Sequence, residues 1–135
     1  MAMVSRKGVL AIAAVVDVAL HARDRPVSAR ALAARHKLPP RHLEPVLQAL
    51  VRHGILKGIR GPHGGYALGR ERKRISAEDI VQAASFADNS NPPLPASALL
   101  NDVLRPALAE AERAFASALA RISIDDIARR AEALK

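Results

Sequence analysis

The sequence has 135 residues, half of them apolar, and a formal net charge of +8. That length is about one domain, with room for an additional arm. Aromatic residues make up only 2% of the chain, so a core must be built from Ala, Leu, Val and Ile, which is typical of a mostly helical protein. The sequence contains no cysteine, which excludes disulfides and thiolate-held zinc or iron–sulfur centres.

The positive charge is concentrated in the first part of the chain. Residues 1–75 contain 15 Lys and Arg against 4 Asp and Glu, whereas residues 76–135 contain 6 against 9. A basic protein suits a polyanionic partner, and this uneven placement indicates a binding face rather than a diffuse basic shell. The apolar run 9–20 is short and contains Asp17, unlike a membrane span or a signal peptide, so we expect a cytoplasmic protein.

The first half of the chain predicts three helices. Apolar residues at three- and four-residue spacing predict the first helix over about 7–23. Ser28 is a good N-cap for a short second helix over 29–36. Paired prolines pre-set the start of a third helix over 40–52, and Gly54 is a natural residue to follow its end. The lengths of the second helix, the turn and the third helix are typical of a helix-turn-helix.

A glycine-rich hairpin follows this helix pair directly. Two strand-like runs, 55–59 and 66–68, flank a connector that predicts a tight turn. The connector consists of Gly61, Pro62, His63, Gly64 and Gly65. The cations beside it are Lys57 and Arg60 before the turn and Arg70, Arg72, Lys73 and Arg74 after it. A slim, cation-flanked hairpin can enter a nucleic-acid groove, whereas in isolation it would be an ordinary surface hairpin. The preceding helices favour a winged helix-turn-helix.

In that fold the third helix lies in the major groove with its first turn nearest the bases. Its exposed early positions are Arg41, His42 and Glu44, with Gln48 one turn later. Arg can bind guanine with two hydrogen bonds, Glu can accept from cytosine N4, and Gln can pair with adenine. A solvated helix face is the alternative for these polar residues. Pro45 removes a backbone donor, so we expect it to bend this helix or loosen its first turn.

Beyond residue 75 the sequence predicts three more helices. Ser76, with a carboxylate three residues later, opens a helix that reaches about residue 84. Residues 85–97 are rich in Pro and Asn and predict a loop or linker. The long helix that follows, to about residue 121, carries an apolar stripe that must pack on the chain itself or on a second copy. Pro106 either kinks this helix or lies in its first turn. Ser123 caps a last short helix over 124–134.

The predicted fold is therefore mainly α. Residues 1–84 form a winged helix-turn-helix domain with a two-stranded wing, residues 85–97 form a loop or linker, and residues 98–135 contain a long C-terminal dimerisation helix and a short terminal helix.

These residues resemble the Rrf2 family of bacterial transcription regulators over nearly the whole chain. The wing sequence RGPHGGYALGR, residues 60–70, is the most specific part of the resemblance. The other matching residues are Pro26-Val27-Ser28, Leu32-Ala33, Leu43-Glu44, Leu47, Leu50 and Gly54. Two later family signatures are similar to residues 75–80 and 123–127.

The resemblance implies a homodimer, joined through the long helix, that binds a palindromic operator in double-stranded DNA and usually acts as a repressor. It places the base-reading positions of the third helix on Pro40, Arg41, His42, Glu44 and Pro45, and the minor-groove arginine of the wing on Arg60. The full set of predicted DNA-binding residues is Ser28, Pro40, Arg41, His42, Glu44, Gln48, Lys57, Arg60, Gly61, His63, Gly64 and Gly65.

Two departures from the family pattern are visible. Position 45 is usually polar in the family, so Pro45 predicts an altered operator preference. Many members carry three cysteines between the fourth and fifth helices for an iron–sulfur cluster, but here residues 88–93 contain no thiol, and we expect no cofactor. Three alternatives stay open for the regulatory signal: a small molecule in a cavity beside the long helix, a partner protein, or no signal at all. Residues 85–97 are the first candidate for the place where such a signal acts.

Two other classes of function compete with this interpretation. A winged helix can serve as a protein-interaction module without DNA readout, although the uneven charge argues against it. Catalysis is the least favoured, because the five histidines lack metal-ligand spacing and the carboxylates do not converge. We therefore expect neither an enzyme nor a metal site.

Overall fold

The computed structural model describes residues 4–85 and 97–134 and confirms the mainly helical fold with a two-stranded wing. The elements in chain order are α1 (Arg6–His21), α2 (Ala29–Arg35), α3 (Pro40–Arg52), β1 (Leu56–Ile59), β2 (Gly65–Leu68), α4 (Ala77–Ser85), α5 (Arg105–Ala120) and α6 (Ile124–Glu132). A 3₁₀ turn, Arg72–Arg74, precedes α4, and a π-helical segment, Leu99–Leu104, leads directly into α5. Most of the predicted loop 85–97 lies outside the described residues. Within the described parts of the chain, none of the helices has both the length and the hydropathy of a membrane span.

The core lies where α1, α3, α4 and α6 meet, and it is aliphatic, as the composition predicts. The largest fully buried side chains are Leu32, Leu43, Leu47, Leu50, Ile55, Leu56, Ile75, Ile80, Ile124, Val15, Val18 and Val46. Because Ile124 and Ala128 belong to this same cluster, α6 packs onto the winged part of the chain.

Two matching caps tie the starts of α4 and α6 together. The Ser76 hydroxyl accepts from the backbone N–H of Asp79 at 3.1 Å, and the Asp79 carboxylate accepts from the backbone N–H of Ser76 at 3.2 Å. Ser123 and Asp126 repeat this capping box at the start of α6. These hydrogen bonds confirm both predicted caps. A β-bridge joins the two serines, so the caps also fix how the two helices approach each other.

The two helical prolines are accommodated differently. Pro45 lies inside α3, which continues past it to Arg52 without interruption. Pro106 is the second residue of α5, and the π-helical segment stands immediately before it. In that segment the Arg105 N–H bonds to the Leu100 carbonyl, one residue wider than in an α-helix. Pro106 has no N–H to donate, and the wider turn supplies the place in the helix where that loss is tolerated.

The wing is held against the start of α2 by backbone pairing. Val27 donates to the Tyr66 carbonyl at 2.9 Å and accepts from the Tyr66 N–H at 2.7 Å. The strands β1 and β2 pair antiparallel, with Leu56 opposite Leu68 and Ile59 opposite Gly65. A Cβ at Gly65 would collide with the Val27 carbonyl, so only glycine allows this close approach.

We expect Gly65→Ala to destabilise the protein by about 1–3 kcal/mol, because the new methyl group must push the wing away from Val27. Gly58→Ala is the matched control, since a Cβ at Gly58 meets nothing within 4 Å and should change stability by less than about 0.5 kcal/mol. Urea denaturation of both variants measures the difference. Equal stability of the two would show that the wing does not depend on this contact.

Candidate nucleic-acid interface

The exposed face of α3 carries the polar residues that the sequence predicts to read bases. Helical spacing aligns Arg41, Glu44, Pro45 and Gln48 in one exposed stripe, with His42 beside it and Pro40 at the first position of the helix. The opposite face of α3 is buried in the core. Among the described residues, none forms an ion pair with Arg41, so its guanidinium is available to a ligand.

The wing places Arg60 beside α3. Gly58 and Arg60 line a concavity of about 600 Å³ together with Val51 of α3, and Gly61, Gly64 and Gly65 complete its wing side. Lys57 lies elsewhere: strand alternation directs it to the other wing face, where it lines a cleft with Ala22 to Pro26. The structure therefore places Arg60 near the end of the third helix, at Val51, and Lys57 on the other face of the wing.

A second, cationic cleft of about 450 Å³ lies between the wing tip and the start of α2. It contains Ser28, His63 and Gly64, all predicted from the sequence, and also Arg25, His21 and Arg35, which sequence reasoning missed. The Ser28 hydroxyl is occupied as the N-cap of α2, where it accepts from Ala31 at 3.0 Å. Arg35 and His21 come together through Asp17, and the pairing of Val27 with Tyr66 brings the wing tip to them; neither long-range contact has a local sequence signal.

Two of the four cations after the wing, Arg70 and Arg72, are turned towards the protein, whereas Lys73 and Arg74 are exposed. The Arg70 guanidinium donates to the His53 carbonyl at 3.0 Å and lies 3.5 Å from Asp79. Arg72 is three-quarters buried between two carboxylates of α6, with its Nε 3.3 Å from Asp125 and its Nη1 3.5 Å from Glu132. These two arginines thus join the wing base to α4 and α6.

The buried carboxylate of Asp17 lies next to the cationic cleft. Asp17 on α1 is only 5% exposed. Its Oδ2 accepts from Arg35 Nε at 2.8 Å, and its Oδ1 accepts from Arg35 Nη2 at 2.6 Å. His36 Nε2 lies 3.1 Å from Oδ2, and His21 Nδ1 lies 3.3 Å from Oδ1 and 2.9 Å from the Asp17 carbonyl. We call these four residues the Asp17 cluster.

Opposing effects set the charge state of this cluster. Burial alone would raise the pKa of Asp17, but the hydrogen bonds and positive charge of Arg35, together with His21 and His36, bring that pKa below its ordinary value of 3.8. The same hydrogen bonds raise the pKa of Arg35. Asp17 and Arg35 are therefore both ionised at neutral pH and form a two-pronged ion pair in which the carboxylate is buried and the guanidinium is partly exposed.

An apolar groove of about 690 Å³ runs along α1. Val9, Ile12, Val16 and Leu20 line it from α1, and Leu119 and Ile122 line it from the end of α5. All four members of the Asp17 cluster also line this groove. The sequence predicts a small-molecule cavity between the winged part and the long helix, and this groove lies at that place; whether it takes an effector stays a prediction.

The fold and the site geometry can be compared with known proteins. A family model described as Rrf2, an iron-dependent transcriptional regulator, matches residues 4–130. The chain belongs to the Rrf2 family. Transcriptional regulators of this family bind double-stranded DNA.

Individual relatives agree with this assignment. The Rrf2-family chain is 36% identical over 77 residues to the HTH-type transcriptional regulator IscR of Xenorhabdus nematophila, a match that covers 57% of this chain and 47% of that protein. It therefore spans about half the length of such relatives. The solved structure of T. potens IscR has a TM-score of 0.75 at 28% identity, covering 98% of this chain and 90% of the other. CymR (YrzC), the global cysteine regulator of B. subtilis, has a TM-score of 0.73 at 26% identity, covering 96% and 98%.

The residues of this family member do not suit an iron–sulfur cluster, although the family description names iron dependence. The sequence has no cysteine, so it offers no thiolate to an iron–sulfur cluster. Over residues 4–85 and 97–134, no group of three or more His, Cys, Asp or Glu side chains is placed to hold a metal ion.

The lowered pKa of Asp17 predicts a specific pH dependence. Its ionised form stabilises the fold fully above about pH 3.8, and this contribution is lost as the pH falls through the lower pKa of the folded state. Denaturation measured from pH 6 to pH 2 should show a less steep acid loss of stability for Asp17→Asn than for the original chain.

Asp24→Asn is the control for this measurement, because Asp24 is exposed and is ion-paired with none of the described residues. It should retain the original acid slope. An unchanged slope in Asp17→Asn would contradict the assignment.

Proposed function

We propose that this chain is a sequence-specific, DNA-binding transcriptional regulator that acts as a homodimer on a palindromic operator, as a repressor, and without an iron–sulfur cluster. The observation that carries the proposal is the polar stripe of Arg41, Glu44 and Gln48 exposed on α3, with the wing and its Arg60 lying against Val51 near the end of the same helix. A protein-interaction module without DNA readout would have no need for this arrangement of available arginines. No catalytic role is part of the proposal.

In this proposal the two arginines have different tasks. Arg41 lies in the first turn of α3, the part of a recognition helix that reaches base edges in the major groove. Arg60 lies at the thin end of the wing, next to glycines that let the backbone approach a duplex closely. Arg41 would therefore contribute to base choice, and Arg60 to the attraction of phosphates and the minor groove.

We expect Arg60→Ala to weaken binding to all DNA sequences and to lower the salt slope by about one, since one phosphate-neutralising cation is lost. Arg41→Ala should cost about 1–3 kcal/mol on the preferred site and relax its base preference. Anisotropy titrations at several salt concentrations, on DNA selected from a random pool, measure both effects.

Arg130→Ala is the matched control, because Arg130 is an exposed cation on α6, outside the third helix and the wing. It should leave base preference unchanged. Original affinity in both Arg41→Ala and Arg60→Ala would refute the DNA-binding surface.

Dimerisation is proposed from two apolar surfaces that the chain leaves open. Along the π-helical segment and α5, Leu99, Val103 and Leu108 are 60%, 55% and 56% exposed, and α5 contains no buried residue. Such a stripe is unfavourable in water. The groove along α1 is the second open surface, and its lining is mostly aliphatic, with the Asp17 cluster as its polar part.

A second copy of the chain is the occupant that satisfies both surfaces at once. In a two-fold pair, the stripe of each copy can lie in the α1 groove of the other, which covers both surfaces with the same contact. Two linked winged modules then read two half-sites simultaneously, and this gives tighter binding than either module alone. We accordingly propose residues 98–120 as the dimerisation helix.

Leu108→Glu should convert the dimer to a monomer, because it places a carboxylate in the middle of the apolar contact. Sedimentation velocity measures the change. Leu134→Glu is the control: Leu134 is 88% exposed near the chain end, outside the stripe, and its variant should stay dimeric. A monomeric original chain, or a dimeric Leu108→Glu variant, would refute this interface.

A further inference from the structure

We propose that Asp17 is a positioning residue for DNA recognition, which links the groove along α1 to the helix-turn-helix by holding Arg35 and His36 at the end of α2. This inference rests on the proposed function. Asp17 itself is buried and need not touch DNA. Its task is to keep the DNA-facing elements at a fixed orientation to the surface on which the second copy lies.

The first observation is a wall shared by two cavities. His21 and Arg35 line both the apolar groove and the cationic cleft between α2 and the wing tip. The Asp17 carboxylate holds Arg35 through two hydrogen bonds, and the Asp17 backbone carbonyl lies 2.9 Å from the His21 ring nitrogen. The Asp17 cluster therefore separates the proposed dimer contact from the proposed DNA contact by the thickness of one layer of side chains.

The second observation is the position at which the Asp17 cluster contacts α2. Arg35 is the last residue of this helix and His36 is its C-cap. Lys37 follows with a φ of 54°, in the left-handed region, and starts the turn towards α3. With only seven residues, α2 is too short to be stable without tertiary contacts. An anchor at its end thus controls the point from which the recognition helix departs.

The chemistry of the anchor favours orientation over stability. Burial of the Asp17 carboxylate costs solvation energy, and the Arg35 guanidinium is 38% exposed to solvent, so the pair contributes little net stability. A two-pronged Arg–carboxylate pair does, however, fix angle as well as distance. Asp17 shares its face of α1 with Ala13 and Leu20, which line the apolar groove beside it. The ion pair makes the angle between α1 and α2 specific.

The sign of the effect separates positioning from simple charge. Asp17 is negative and lies close to a cationic cleft, so through charge alone its removal would strengthen DNA binding. Through positioning, its removal would weaken binding to a palindrome, because two half-sites must be met at once. These outcomes are opposite.

The experiment uses the full chain and DNA that the original protein selects from a random pool. Palindromes with the selected spacer, and with spacers one and two base pairs longer or shorter, are titrated alongside a single half-site. Asp17→Asn, Arg35→Lys and the double variant are compared, with circular dichroism and sedimentation to verify folding and dimerisation. Arg35→Lys keeps the positive charge and loses the two-pronged geometry.

We expect Asp17→Asn and Arg35→Lys each to lose about 10-fold or more in affinity for the palindrome, with a much smaller loss on a single half-site. Their spacer preference should broaden and their salt slope should stay constant. The double variant should be no weaker than either single variant, because both changes break the same contact. Asp24→Asn, the control that removes an exposed carboxylate, should bind as tightly as the original chain or more tightly.

Several results would overturn the inference. A folded, dimeric Asp17→Asn variant that binds as strongly as Asp24→Asn would leave charge as the only role of Asp17. An affinity loss in Arg35→Lys that is equal on the palindrome and on the single half-site, with Asp17→Asn unaffected, would mean that Arg35 contacts DNA directly. If Asp17→Asn does not fold, an unchanged spacer preference in Arg35→Lys would overturn the positioning role. An original chain that selects no DNA refutes the proposed function itself, which the other outcomes leave standing.

Discussion

The candidate interface depends on one backbone contact, the pairing of Val27 with Tyr66. Two hydrogen bonds attach β2 to the segment before α2, so the wing cannot swing independently of the helix-turn-helix. Glycine at position 65 makes the approach close enough for these bonds. This pairing forms part of both cavities. Val27 lines the cleft that contains Ser28 and Gly64, and Tyr66 lines the concavity that contains Arg60.

Much of the fold follows from local patterns in the sequence. The third helix has the predicted bounds, 40–52, because paired prolines begin it and Gly54, with a φ of 75°, follows its end. The capping serines at 76 and 123 are equally local signals. The π-helical segment was not predicted, because a proline in a helical pattern gives two solutions and only packing chooses between them.

The site could be predicted only in part, because long-range packing brings some of its residues together. Exposure of Arg41 and Gln48 follows from helical spacing within α3. The separation of Lys57 from Arg60, by contrast, depends on which face of a hairpin with four-residue strands turns towards α3. The Asp17 cluster joins residues of α1 and α2 that are far apart in sequence, and a single carboxylate in an apolar helix gives no hint of its partners.

The charge imbalance between the two halves of the chain overstates the cationic surface. Carboxylates of the acidic second half serve as partners for cations of the basic first half: Asp79 lies against Arg70, and Asp125 and Glu132 lie against Arg72. These pairs attach α4 and α6 to the wing base and withdraw two arginines from any ligand. The cations left for a polyanion include Arg41 on α3 and Arg60 beside the wing turn, together with the exposed Lys73 and Arg74. Sequence-independent attraction comes from this reduced set, and a pair of modules at fixed spacing adds affinity that the cations of one module do not supply.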